Sequence, residues 1–178
     1  MNQAKNVRYQ VSYLVFGQLG WLGLVSTVRM SGLQGLVIVV VLMLLTAHVL
    51  LQQNRKSELV RLLSAALLGW VVECLWVWLG LVVYPFNPGC MAPFWMAVLW
   101  LLFAMQTNVL MRGLRSRPYL SSVLGMFGGP LAYRSGQALG AIRVVHQSSW
   151  LVLALAWAVI VPLLLGCDAL FEEEVSSE

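Results

Sequence analysis

Residues 62–84 read LLSAALLGWVVECLWVWLGLVVY. A bilayer core roughly 30 Å thick needs about 20 predominantly apolar residues per helix, and this stretch supplies them with one charge, Glu73, near its middle. Its seven Leu and five Val each favour insertion by roughly 0.3–0.6 kcal/mol, about 5 kcal/mol together, against roughly 3 kcal/mol for a central charge. The sequence therefore predicts a membrane-spanning helix that keeps an acid despite the bilayer.

Working outward, PFNPGCMAP (Pro85–Pro93) is a stiff, uncharged turn, because each Pro blocks helix continuation. Phe94–Met111 is the next span, followed by the basic loop RGLRSRP (Arg112–Pro118). Upstream, Gly35–Leu51 is nearly pure Val, Leu and Ile until Thr46 and His48, and Val11–Val28 is apolar but for Gln18 and a few small polar residues. Gln52–Glu58 reads as a plain polar loop, with His48 an interfacial residue beside it. Ser149–Cys167 is a final span containing Pro162. Between the basic loop and that span, Tyr119–Tyr133 offers a shorter apolar run with Gly125, Gly128, Gly129 and Pro130. Such residues are tolerated in packed membrane helices. The fold class is all-α: a polytopic transmembrane bundle of six spans, or five if Tyr119–Tyr133 dips in and returns. Residues 1–167 form a single transmembrane helical domain, and 168–178 an acidic, disordered tail.

Composition agrees. The chain is 60% hydrophobic and 10% charged, with mean hydropathy +0.82, whereas soluble domains carry about 25% charged residues. Up to Cys167, eleven basic residues face two acidic ones, a balance of +9; the other five acids lie in the last eleven residues. The basic residues sit in short loops, where they encode orientation and leave no nucleic-acid surface. Arg55, Lys56 and Arg61 precede one span and Arg112, Arg115 and Arg117 follow the next, so both loops are expected in the cytoplasm with Pro85–Pro93 outside. The N-terminus, with Lys5 and Arg8, is then cytoplasmic. No small-x-small cleavage site follows the first apolar run, so that run reads as a retained span. A multi-pass protein of a bacterial inner membrane is expected.

At about 100° per residue, Glu73 shares a helix face with Ala66, Gly69, Trp70, Trp76, Val77 and Gly80. The small residues allow close helix approach, so the acid faces the bundle, while Trp78 points away. Depth and connectivity nominate Gln18, Gln106 and Asn108 as its neighbours, and deep Trp70 and Trp76 as walls of a ligand or proton site. Intramembrane acids usually serve function; the structural alternative is a neutral acid hydrogen-bonded between helices. Gly128, Gly129 and Pro130 suggest a helix break facing a ligand, and Gly136 with Gly140 a small-xxx-small packing pair. Cys74, Cys90 and Cys167 lack metal spacing. With no nucleophile–His–acid set, metal cluster or phosphate loop, the sequence names no catalytic residue, metal or cofactor.

PFNPGCMAPFWMAVLWLLFA (Pro85–Ala104), the following Asn108, and LGMFGGPLAYRSGQALGAI (Leu124–Ile142) resemble an uncharacterised family of small multi-pass bacterial inner-membrane proteins, a domain of unknown function. The likeness runs mainly from Glu73 to Ile142. It implies an acid in the helix before the Pro-rich turn, a place Glu73 fills, and a setting among lipid or fatty-acid modification. The family tends to carry a basic residue just before the final LGA, where this chain has Gln137-Ala138 with Arg134 earlier.

Three functions follow as expectations. The first is a lipid-handling bundle whose partners are membrane lipids, with Glu73 engaging the polar end of an amphipathic ligand. The second is a non-catalytic assembly protein, working as a homo-oligomer or with a membrane partner docked on the acidic tail. The third is a small proton-coupled transporter with Glu73 as the carrier.

Overall fold

The computed structural model describes the backbone of residues 3–87 and 89–177 and the side chains of 8–87, 89–107 and 109–167. Six α-helices account for most of it: α1 (Gln3–Ser26), α2 (Ser31–Leu51), α3 (Arg55–Trp78), α4 (Phe94–Leu110), α5 (Pro118–Ala138) and α6 (Gln147–Ser177). A 3₁₀ turn, Arg112–Leu114, joins α4 to α5. α6 stays helical into the acidic segment as far as Ser177, where the sequence suggests a disordered tail.

Among the described residues, three helices are long and apolar enough to cross a bilayer: Ser31–Leu51, Arg55–Trp78 and the Gln147–Cys167 part of α6. The exterior has the matching character. Leu19, Met43, Leu67, Phe127 and Leu151 are each more than 60% exposed, whereas Glu58, Arg61 and Glu73 are buried. Water-soluble folds rarely display so much contiguous apolar surface. α4 is shorter, yet packs against α1, α2, α3 and α6, and its Val98, Trp100, Leu102, Ala104 and Met105 are fully enclosed.

Contacts fix the helix directions. Tyr13 of α1, His48 of α2, Arg61 of α3 and Ala104 of α4 meet at one end. At the other end Arg29, just after α1, lies over the Phe86 ring and against Gly140 beyond α5. α5 is one unbroken helix, and the basic segments at 55–61 and 112–117 share an end. Cys90 and Cys167 lie at opposite ends.

The helix break suggested at Gly128, Gly129 and Pro130 is not formed, because α5 stays helical through Pro130. A proline forfeits one helical hydrogen bond, but unwinding in apolar surroundings would forfeit several at once. Gly136 and Gly140 are tightly packed, against Ile142 and Arg29, but α6 meets α5 at two other glycines. A Cβ at Gly125 would lie 2.2 Å from the Trp157 carbonyl oxygen, and one at Gly129 2.2 Å from Trp157 Cγ, so these two glycines let α6 approach α5.

Gly140 ends α5, as Gly80 ends α3. Their φ angles of +75° and +68° lie in the left-handed region that glycine alone enters without penalty. Gly80 N–H bonds Val77 O and Leu81 N–H bonds Trp76 O; Gly140 N–H bonds Gln137 O and Ala141 N–H bonds Gly136 O. Each pair closes a Schellman motif. Both motifs feed short strands, β1 (Val82–Val83) and β2 (Arg143–Val144), which pair antiparallel with Val82 opposite Val144. Gln137 Oε1 accepts from Val144 N–H at 2.8 Å. The α3–α4 and α5–α6 hairpins are thus clasped by a ladder that an all-α reading omits.

Candidate functional site

Gly69 sits one helical turn before Glu73 on α3. A Cβ there would fall 1.9 Å from Trp100 Cδ2, so the absent side chain lets the α4 indole lie flat on the α3 backbone. From that position Trp100 Nε1–H donates to Glu73 Oε1 at 3.3 Å. α5 repeats the device. Gly129 lies beneath the Trp157 ring, and one turn later Tyr133 donates its hydroxyl to Glu73 Oε1 at 2.6 Å. The two indoles stack between the glycines, centroids 5.3 Å apart and 11° from parallel, with Phe103 edge-on to both. The third donor, Tyr84 beyond β1, packs edge-on against Trp95 and donates to Glu73 Oε2 at 2.6 Å.

Glu73 is 1% exposed, and its hydrogen-bond partners among the described residues are uncharged side chains. An indole N–H can only donate, so Oε1 accepts whether the acid is ionised or neutral. A phenol can donate or accept, so the Tyr84 bond survives in either state with its proton on either oxygen. The site thus holds a carboxyl group in place without fixing its charge.

Beside it lies a cavity of about 430 Å³ between α1, α4, α5 and α6. Leu14, Trp21, Leu99, Phe103, Leu131 and Val161 give it apolar walls, and Glu73, Tyr133, Gln18, Gln106 and Ser135 are its polar points. α1 and α5 flank it without packing extensively on each other.

Of the residues nominated from sequence, Glu73, Gln18, Gln106, Gly128 and Gly129 line this cavity. Gln18 and Gln106 nevertheless form no hydrogen bond with Glu73; Gln106 extends over Gly17 of α1. Trp70 is not a wall: its Nε1–H donates to Ala92 O at 3.1 Å and ties α3 to the Pro-rich turn. Trp76 is buried but does not line the cavity. The side chain of Asn108 lies outside the described residues.

Sequence reasoning missed Tyr84, Trp100, Tyr133 and Trp157. One signal was available: each of the two helices carries a glycine one turn before a polar side chain, Gly69–Glu73 and Gly129–Tyr133. It also missed a second polar cluster. Glu58 belongs to the first turn of α3, where Asn54 Oδ1 caps the helix by accepting from Ser57 N–H at 3.2 Å. Its Oε1 meets Arg61 Nη2 at 2.7 Å and His48 Nε2 at 2.9 Å, and its Oε2 accepts from Arg61 Nε at 3.0 Å. Arg61 Nη1 also donates to Ala104 O at 2.9 Å, and Tyr13 Oη lies against His48 Nδ1. Glu58, read from sequence as part of a plain loop, and His48, read as an interfacial histidine, thus belong to a buried cluster with Arg61 that joins four helices.

No curated protein and no solved structure matches the chain. A family match extends well beyond Glu73–Ile142, from the first turns of α1 into the second half of α6. It covers residues 10–163, most of the chain, and the chain belongs to that family, a protein of unknown function (DUF2878).

Proposed function

We propose that this protein binds an amphipathic molecule, a membrane lipid or a similar single-headed apolar compound, in the cavity beside Glu73. The observation that carries the reading is the cavity itself: apolar along its length, with a buried carboxyl and phenol at one place on its wall. Ligand sites of this size are typically apolar with a few fixed polar groups that orient the ligand. Gln18 and Gln106 offer further hydrogen bonds to a head group, and the flanking α1 and α5 provide a lateral approach from lipid. The protein acts as a six-span bundle of a bacterial inner membrane, with both basic segments and the N-terminus on the cytoplasmic side.

Native mass spectrometry of the purified protein tests this. The wild type is expected to carry an amphiphile that Glu73→Gln largely loses. Gly128→Leu is a second probe, since a Cβ there meets nothing within 4 Å and a longer side chain fills cavity space without clashing. It too should lower occupancy. Identical adducts in all three proteins would reject the reading.

A further inference from the structure

Tyr133 and Glu73 border the cavity just described, but Tyr84 borders a different one. That second cavity, about 230 Å³, lies at the loop end beside β1 and is walled by Gln34, Asn87, Phe86 and Trp95 among others. The Glu73 carboxyl group stands between the two spaces. Tyr133 Oη bonds its Oε1 at 2.6 Å and Tyr84 Oη bonds its Oε2 at 2.6 Å. Both distances lie within the roughly 2.6–3.2 Å heavy-atom range that proton transfer requires. Each group in the series both gives and accepts a proton, unlike the indole of Trp100, which only donates and so positions Oε1.

We propose that Tyr133–Glu73–Tyr84 is a proton relay joining the cavity within the bundle to the cavity at the loop end. In the neutral form Glu73 Oε2–H donates to Tyr84 Oη, using the same atoms at the same separation. A water or acidic head group in the first cavity passes a proton to Tyr133 Oη while the Tyr133 hydroxyl proton moves to Oε1. The proton on Oε2 moves to Tyr84 Oη, and the original Tyr84 proton leaves to water in the second cavity. One proton enters and one departs. Both phenols end neutral, and the carboxyl keeps one proton, now on Oε1. Rotation of the two hydroxyls and the carboxyl group resets the series.

Geometry favours a relay over a mere cross-link between helices. A cross-link needs only buried ends, whereas each end of this series borders a cavity with polar wall groups: Gln18, Gln106 and Ser135 on one side, Gln34 and Asn87 on the other. Water occupies a cavity when two to four polar partners are available. Facing the carboxyl from the packed elements are Trp100 of α4, Tyr133 of α5 and Tyr84. Cys74 is the next titratable group on α3, its Sγ accepting from Ala92 N–H at 3.3 Å. The relay does not require the first cavity to hold an amphiphile, so it stands or falls separately from the binding proposal.

The test uses the full chain in phosphatidylethanolamine–phosphatidylglycerol vesicles with a trapped pH-sensitive dye, driven by a potassium diffusion potential. Wild-type vesicles should acidify faster than protein-free ones, and more slowly in D₂O. Tyr84→Phe and Tyr133→Phe, each removing one oxygen, should return the rate to the protein-free level, as should Glu73→Gln. Trp70→Phe removes a hydrogen bond from the same helix outside the series and should conduct like the wild type. The proposal is overturned if the wild type conducts no faster than empty vesicles, if either tyrosine variant conducts normally, or if Trp70→Phe loses the flux equally.

Discussion

α3 carries two buried glutamates about 22 Å apart along the helix axis, and the protein surrounds them in opposite ways. Glu58 meets an arginine and a histidine, with Arg61 bound through two nitrogens. Its charge is matched, and its two partners are held in turn by Tyr13 of α1 and Ala104 of α4, so the cluster is closed. Among the described residues, Glu73 meets only phenols and an indole, and it borders a cavity. A matched charge has nothing left to offer a ligand or a proton. An unmatched, well-oriented carboxyl does. The difference separates a knot that holds helices together from a site that can act.

Substitutions can break that contrast. The largest effect is expected at the closed cluster. Arg61→Met leaves Glu58 buried beside His48 alone and should cost about 3–5 kcal/mol, the usual penalty for breaking a buried pair from one side. Reversible unfolding in mixed micelles measures it, and a cost within about 1 kcal/mol, as for an exposed pair, would mean that the cluster does not hold the helices. Next comes the wall of the open site. Gly129→Leu drives a side chain into the Trp157 ring and should cost about 1–3 kcal/mol through overpacking, with a changed tryptophan near-UV circular dichroism as the stack is pried apart. An unchanged spectrum would show the stack to be adaptable. The smallest stability change belongs to Glu73→Gln. Its amide oxygen keeps the Trp100 and Tyr133 bonds, and single hydrogen bonds between membrane helices average about 0.6 kcal/mol. A loss as large as that of Arg61→Met would make Glu73 a structural residue like Glu58.

Much of this was legible in the residues. Helical spacing put Ala66, Gly69, Trp70, Trp76, Val77 and Gly80 on the Glu73 face and Trp78 outward; the structure buries Ala66, Gly69, Glu73 and Trp76, half-buries Trp70 and Val77, and leaves Gly80 exposed and Trp78 77% exposed. Most helix positions were legible too, but not where α3 begins or where α6 ends. Arg55–Arg61 looks like a loop because four of its seven residues are charged. It is helical because Asn54 caps it and His48 arrives from α2 to share the carboxylate. Tyr84 and Tyr133 resemble interface-belt or filler aromatics in sequence. They stand eleven and sixty residues from Glu73, and no local pattern records that separation.

By itself the sequence determined what each segment could do. Apolar length made the spans, Pro and Gly set where they stop, and 3.6-residue periodicity turned Glu73 inward, because these effects act within one helix. The tertiary structure alone decided which side chains from other helices would meet that acid. Donors reach a carboxyl over about 3 Å, and only the close approaches at Gly69 and Gly129 brought Trp100 and Tyr133 within that distance.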